Sequence, residues 1–370
     1  MSVLALGAFG QGNPGDEALL AALRRALPGQ RVLAASADPI ATAAEHDIPA
    51  VERTDLRGVA RRLREADAVV VTGGTIFKTL HPSTGRRPLS LLRRTAAIAA
   101  AARAARRPLA LVGVGAAPLE SRGARALARA IVRSADLLVL RDDESAAVLA
   151  ATGAPAPYRV GADLAWTVLD TPPAPPHRPR EGRPLVVALS HLAGGRDLAD
   201  RLTAALAPLT VDAPVVLLPW QAGSGHDVGL AHAVAGGLGA VEVARPPANL
   251  AAARDLLSGA RALVGLRFHA LLASAAAGTP FAALTHEPKL EGLARRLGQP
   301  GASTGAPPAA LTAAVRTAMA GPAPDPAGVR AERARAEEGF RLLRVLLAGG
   351  RSDEAAHIDG LDLRPEEWLG

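Results

Sequence analysis

Apolar and polar positions alternate along the chain in two textures. Short runs rich in Val and Leu, 3-VLALG-7, 68-AVVVTG-73, 109-LALVGVG-115 and 137-LLVLRD-142, are separated by longer Ala/Arg/Leu stretches with helical spacing. The alternation resumes at 185-LVVALS-190, 214-PVVLLPW-220, 262-ALVGL-266 and 281-FAALT-285. These runs are apolar throughout instead of every second residue, the pattern of parallel strands covered by helices on both faces. Between the two sets lies 170-DTPPAPPHRPREGRP-184, whose six prolines exclude a helix or a central strand. The expected organisation is an N-terminal α/β domain over 1–170, a linker at 171–183 and a C-terminal α/β domain over 184–326. A helix over 327–350 crosses back and a peripheral acidic tail occupies 351–370. Two Rossmann-like parallel-sheet domains then face a common cleft.

Composition narrows the partners. Hydrophobic residues make up 49% of the 370 positions, ample for two cores, but aromatics only 2%, too few for stacking platforms on single-stranded nucleic acid. The net charge of +7 favours anionic partners, although the basic residues are scattered over helical segments instead of gathered in one run. With no Cys, disulfides, thiol catalysis and Cys-based zinc sites are excluded, and no metal-ligand spacing stands out. No apolar run reaches the length of a membrane span, and MSVLALGAFG lacks the basic start of a signal peptide. A cytoplasmic protein is expected, with its basic surface suited to peripheral contact at the inner face of a membrane. Of 42 basic residues only Lys78 and Lys289 are lysine, and Asn occurs only at Asn13 and Asn249. Where coding bias replaces Lys by Arg, a retained Lys marks a place for a compact ammonium.

Three glycine-bearing loops follow predicted strands and belong to one crevice by the usual geometry of parallel sheets. In 7-GAFGQGNPGDEALLAAL-23 a helix begins near Asp16, with Gly12, Asn13, Gly15, Asp16 and Glu17 as candidate acceptor-side residues. Free N–H groups and the positive end of the helix dipole collect there. Asp16 and Glu17 equally fit a plain acidic first turn. In 69-VVVTGGTIFK-78 the candidates are Gly73, Gly74, Thr75 and Lys78, and 113-GVGAAPLES-121 supplies the third loop. In 141-RDDES-145 a charged pair directly follows a strand, which fits either an anion site or an Arg–Asp pair opening a helix.

In the second half, strand 262–266 runs into Arg267 and His269, and strand 281–285 into 286-HEPK-289. Cations in such apolar sequence are costly unless they face an anion or a cleft. Arg267, His269 and Lys289 each sit just past the carboxyl end of a predicted strand, so they can converge although twenty residues apart.

This ordered set resembles the polysaccharide pyruvyl transferase family, including its members that anchor S-layers to cell-wall polysaccharide. The family's G-x-G-N-x-G-D-E-A loop is met by 10-GQGNPGDEA-18, its G-x-G-x-x-P-L by 113-GVGAAPL-119, and its R-D-x-x-S by Arg141, Asp142 and Ser145. A D-x-x-[FW] element is met by 163-DLAW-166, R-x-H by Arg267 and His269, and [DE]-x-K by Glu287 and Lys289. The resemblance implies a GT-B-like fold and transfer of pyruvate from phosphoenolpyruvate (PEP), as a ketal, to a sugar of a cell-envelope polysaccharide or its lipid-linked precursor. It implies that Arg141, Arg267, His269 and Lys289 hold PEP. His269 would act as general acid, imidazole being the side chain that ordinarily titrates near neutral pH, and Asp16 would be the base for an acceptor hydroxyl. No metal or redox cofactor is implied, and no nucleic acid partner. The chain departs from the pattern at Thr75, which breaks a Gly triplet, at Lys78-Thr79 in place of Gln-Asp, and at His286 in place of Tyr. The same cleft and cations also admit a GT-B glycosyltransferase using a nucleotide sugar, or a non-catalytic relative that binds a phosphorylated metabolite.

Overall fold

The structure, a computed structural model, describes residues 1–80, 85–154, 158–169, 182–194, 197–222, 226–239 and 241–349. Almost all of the Pro-rich linker and the whole 351–370 tail lie outside the described residues. The first sheet contains β1 (Ser2–Leu6), β2 (Arg31–Ser36), β3 (Ala50–Glu52), β4 (Ala68–Thr72), β5 (Thr75–Phe77), β6 (Leu109–Ala116), β7 (Leu137–Leu140) and β8 (Arg159–Val160). They pair in the order β3-β2-β1-β4-β6-β7-β8, with β5 added beside the end of β6. The second sheet contains β9 (Leu185–Leu189), β10 (Val215–Pro219), β11 (Glu242–Val243), β12 (Ala262–Gly265), β13 (Phe281–Thr285) and β14 (Gly301–Ser303), in the order β11-β10-β9-β12-β13-β14. Adjacent strands β1, β2 and β4, and β9, β10 and β12, are parallel, as are the other pairs. The strands read from the sequence are all present. Strand β2, with its apolar VLAA centre, is an addition to that reading, and the short strands β3, β5, β8, β11 and β14 carry too weak an apolar signal to be read that way.

Each sheet reverses its strand order once, between β1 and β4 in the first and between β9 and β12 in the second. In such sheets the loops on either side of the reversal diverge to opposite faces and leave a crevice at the carboxyl ends of the strands. The two crevices face each other. One apolar cluster runs through both halves, with Leu19, Leu23 and Trp166 from the first and Trp220, Phe268 and Leu271 from the second. The long helix Pro326–Leu347 leaves the second domain and packs on β6, β7 and the turn Leu164–Thr167 of the first. Arg296 clamps that crossing, since its guanidinium donates from Nε to buried Glu332 (2.9 Å) and from Nη1 to Glu144 on the first domain (3.1 Å).

Candidate active site

The helix Pro14–Ala26 starts two residues ahead of the expected Asp16, with Asn13 as N-cap, Pro14 in its first turn and Asp16 and Glu17 just inside. Asn13 does more than cap. Its Oδ1 accepts from the Gly15 amide (3.2 Å) and from Trp220 Nε1 of the second domain (3.3 Å), while its Nδ2 donates to Asp16 (2.7 Å). Gly12 belongs to the same clasp, its carbonyl accepting from the Ala222 amide (3.0 Å), and at φ +65° it has no room for a Cβ, which would lie 2.4 Å from the Ala222 carbonyl oxygen. Gly15 has ordinary helical geometry and is small for another reason: a Cβ there would meet His269 Nδ1 at 1.9 Å. The His269 ring therefore lies on the first turn of this helix. Glu17 stands behind the loop, buried, accepting from the Gly10 amide (2.7 Å) and contacting His46 Nε2 (3.1 Å). It shapes the loop and does not line the cleft, nor do Gly12 and Gly15. No metal-ligand spacing shows in the sequence, yet folding brings Glu17, Glu45 and His46 within 4.8 Å of one another. Glu17 and His46 are already engaged with each other there.

A cleft of about 470 Å³ lies between the domains. Asn13, Asp16, Gly73, Gly74, Thr75, Lys78, Arg141, Arg267, His269, Glu287 and Lys289 all border it. Arg141, directly after β7, is buried and over-determined. It donates from Nε to Asp142 (3.2 Å) and from Nη2 to Thr75 Oγ1 (3.2 Å), stands 3.6 Å from Asp163 through Nη1, and lies 4.8 Å from the centroid of Phe268. Asp142 in turn caps the next helix through the Ser145 amide, and Ser145 Oγ accepts from Ala116 at the end of β6. The break in the Gly triplet has a structural reason. Gly73 and Gly74 need positive φ (62° and 71°), whereas Thr75 has the extended backbone of β5 and offers its hydroxyl to Arg141.

On the second domain the helix after β12 begins at Phe268, two residues ahead of the small-residue run 270-ALLASAAAG-278, so Arg267 is its N-cap and His269 lies within its first turn. Arg267 donates from Nη2 to fully buried Asp227 (2.6 Å) and from Nε to the Leu189 carbonyl (3.3 Å). Among the described residues nothing pairs with its Nη1. Asp227 also accepts from the backbone amides of His191 and Gln221 and from His191 Nδ1 (2.6 Å). Burial alone pushes the Asp227 carboxyl upward, but Arg267 and these donors hold it below its ordinary value, so it stays an anion.

His269 Nε2 is 3.6 Å from Asp163 Oδ1, and both His269 Nε2 and Asp163 Oδ2 are buried without a hydrogen-bond partner among the described residues. Burial raises the Asp163 carboxyl, yet His269 and Arg141 bring it below the usual range. Asp16 goes the other way. Burial, with Glu17 and Asp163 nearby, raises it, and His269 offsets only part. Lys289 ion-pairs with Glu287 and is held below its ordinary value by burial and by Arg141, with Glu287 opposing. Glu287, despite burial, is pulled down to about 2 by Lys289 and then by Lys78 at 3.8 Å, so it links cations of both domains. His286 is lowered by burial to about 4 and is neutral at pH 7.

Every predicted donor-side residue thus converges on one cleft. Sequence reasoning missed Asp227, whose helix carries no motif, and the arginines Arg53, Arg86 and Arg94 on the first-domain wall. Asp163 stood within 163-DLAW-166 but was not singled out as a site residue.

The arrangement is that of a two-domain α/β enzyme with a cation-lined cleft. Residues 13–288 match the family described as polysaccharide pyruvyl transferase, so the chain belongs to the polysaccharide pyruvyl transferase family. No curated protein is a significant match in sequence. Solved structures share the fold at low identity. MnaA of S. aureus, solved with UDP, superposes with a TM-score of 0.63 at 10% identity, over 94% of this chain and 96% of that one. Anabaena Alr3699/HepE, solved with UDP-glucose, gives 0.59 at 16% over 94% and 100%. The UDP-GlcNAc 2-epimerase of Neisseria meningitidis, bound to UDP-GlcNAc, gives 0.61 at 12% over 95% and 100%. The fold is thus GT-B-like.

Proposed function

We propose that the protein transfers pyruvate from PEP to two hydroxyls of a sugar in a cell-envelope polysaccharide or its lipid-linked precursor, forming a cyclic ketal and releasing phosphate. The convergence of Arg141, Arg267 and Lys289 around His269, with Asp16 on the same cleft, carries this reading. The donor bears a carboxylate and a phosphate. Arg267 presents Nη1 and Lys289 further N–H groups beyond their internal partners, and guanidinium and ammonium suit such oxyanions. The pairing carboxylates Asp142, Asp163, Asp227 and Glu287 fix the cations in place before substrate arrives, which spares ordering at the moment of binding.

In the reaction C3 of PEP gains a proton, and C2, now oxocarbenium-like, is attacked by one sugar hydroxyl. The C2–phosphate bond then breaks and the second hydroxyl closes the ring, each hydroxyl losing its proton. His269 is the acid for C3 or for departing phosphate, with ionised Asp163 as counter-charge to an imidazolium. Asp16, raised by burial and so more basic than an ordinary carboxylate, takes a proton from an acceptor hydroxyl. The chemistry is redox-neutral, and we assign it no metal or cofactor. Among the described residues no helix is long and apolar enough to cross a membrane, so a lipid-linked acceptor would be met by peripheral contact.

Titration calorimetry with PEP, UDP and GDP in parallel tests the reading. Saturable PEP binding that is lost in Arg267→Ala is expected. Nucleotide binding with none for PEP would transfer the cleft to nucleotide-sugar chemistry, the reading that the UDP complexes of the structural neighbours favour.

A further inference from the structure

Charge is spread unevenly along the chain. Residues 56–134 carry sixteen Lys and Arg against three Asp and Glu, so with +7 overall the remainder of the chain is net negative. This stretch supplies the helices Leu56–Glu65, Ser90–Ala104 and Arg122–Ser134, which lie side by side over one face of the first sheet. Their apolar residues Val59, Leu63, Leu92 and Ile131 share a core with Leu4, Leu6 and Val69 of that sheet, a core to which the second domain contributes nothing. The arginines are thereby turned outward, and Arg57, Arg61, Arg64, Arg93, Arg103 and Arg122 are all exposed. Among the described residues only Arg62 of these three helices is ion-paired, to Glu65 (2.8 Å). A face of one sign repels itself, and an extended anionic surface laid against it relieves that repulsion.

We propose that this three-helix layer docks the protein on an anionic lipid bilayer. Guanidiniums on long stems reach headgroup phosphates while the stems lie along apolar groups. The exposed positions between the arginines include Ala97, Ala100 and Ala126, which let the face come close, and Leu56, 70% exposed at its edge, adds an apolar contact. Nucleic acid fits the same face less well. The stretch holds no Asn or Gln to contact bases and phosphates, and its one aromatic, Phe77, is buried and cannot stack on a base. The helix Ser90–Ala104 also lines the cleft, through Leu91 and Ile98, so docking holds the cleft beside the bilayer surface. None of this rests on the pyruvyl-transfer reading.

The test is sedimentation of the full chain with vesicles of phosphatidylcholine alone and of phosphatidylcholine mixed with phosphatidylglycerol. The expected result is binding to the mixed vesicles only, weakening as salt is raised. Reversing four exposed charges together, Arg57→Glu, Arg61→Glu, Arg93→Glu and Arg122→Glu, is expected to weaken it about a hundredfold or more. The control reversal Arg245→Glu with Arg330→Glu, at exposed positions away from the layer, stays within about twofold of wild type. Urea unfolding of both variants close to wild type shows that folding is not the cause. The proposal is overturned by equal binding to both vesicles, by none to the mixed ones at low salt, or by an equal loss in the control. Tighter binding to a duplex oligonucleotide than to the mixed vesicles would also overturn it and assign the face to nucleic acid. A failure of PEP to bind would remove the donor reading and leave this docking untouched.

Discussion

Gly15→Ala is a sharp test of how the His269 imidazole is seated. The position is helical with no positive φ, so by itself the change would favour the helix by up to about 1 kcal/mol. Against this, the added Cβ would fall 1.9 Å from His269 Nδ1 and 2.2 Å from Cγ, far inside contact distance. The ring has little room to yield. It is buried, faces Asp163 at 3.6 Å, and packs edge-on to Phe268 with centroids 5.7 Å apart. Overpacking of this kind costs roughly 1–3 kcal/mol, so a net loss of about 1–2 kcal/mol is expected after the helical gain. In a His269→Ala background the obstacle is gone, and the same glycine change becomes neutral or stabilising. Urea unfolding of the four proteins therefore gives a coupling of roughly 2 kcal/mol between positions 15 and 269, although they belong to different domains. Under the proposed reaction, PEP turnover is expected to fall in Gly15→Ala because the ring leaves its place. A Gly15→Ala protein with wild-type stability and full turnover, or additive behaviour of the pair, would refute this seating.

Three further outcomes follow from the charge arrangement. Asp227→Ala strands Arg267 without its buried partner and is expected to cost roughly 3–5 kcal/mol in unfolding experiments, with Asp227→Asn costing less and weakening PEP affinity. Acidification destabilises the protein in two windows. His286, lowered to about 4, contributes stability that declines as pH falls from about 6.5 to 4, and Glu287, lowered to about 2, one that declines between about 4.5 and 2. Unfolding followed against pH should therefore show a smaller loss over the upper window in His286→Gln and over the lower one in Glu287→Gln; profiles parallel to wild type would count against these placements. Arg296→Ala removes the clamp between Glu144 and buried Glu332 and is expected to lower stability by roughly 3–5 kcal/mol. Replacement of the buried pair, Arg296→Met with Glu332→Leu, should recover most of the loss.

That Arg141, Arg267 and Lys289 meet in one cleft was readable in advance because these residues follow strands directly. Arg141, Arg267 and Lys289 lie one to four residues past β7, β12 and β13, and a parallel sheet gathers such positions at one edge. The helix start was legible to within two residues: the sequence put it near Asp16, and the structure begins it at Pro14 with Asn13 as its cap. Other roles were invisible for physical reasons. Glu17 looked like a ligand-facing acid, and only the fold shows it turned inward to the Gly10 amide and His46. Asp227 sits on a helix 40 residues from Arg267, and nothing local distinguishes it from a solvated first-turn acid.

Hydrophobic periodicity, turn residues and caps are short-range quantities. They determined the two βα-built halves, most strands and the places where chemistry could emerge. The three-dimensional structure alone decided which of these places meet. It set Gly15 under His269, Asn13 against Trp220, Asp163 between Arg141 and His269, and Arg53 against Arg94. Those pairings depend on strand order and on how one domain is laid against the other. Both are fixed by apolar packing summed over the whole interface, and no window of local sequence contains that sum.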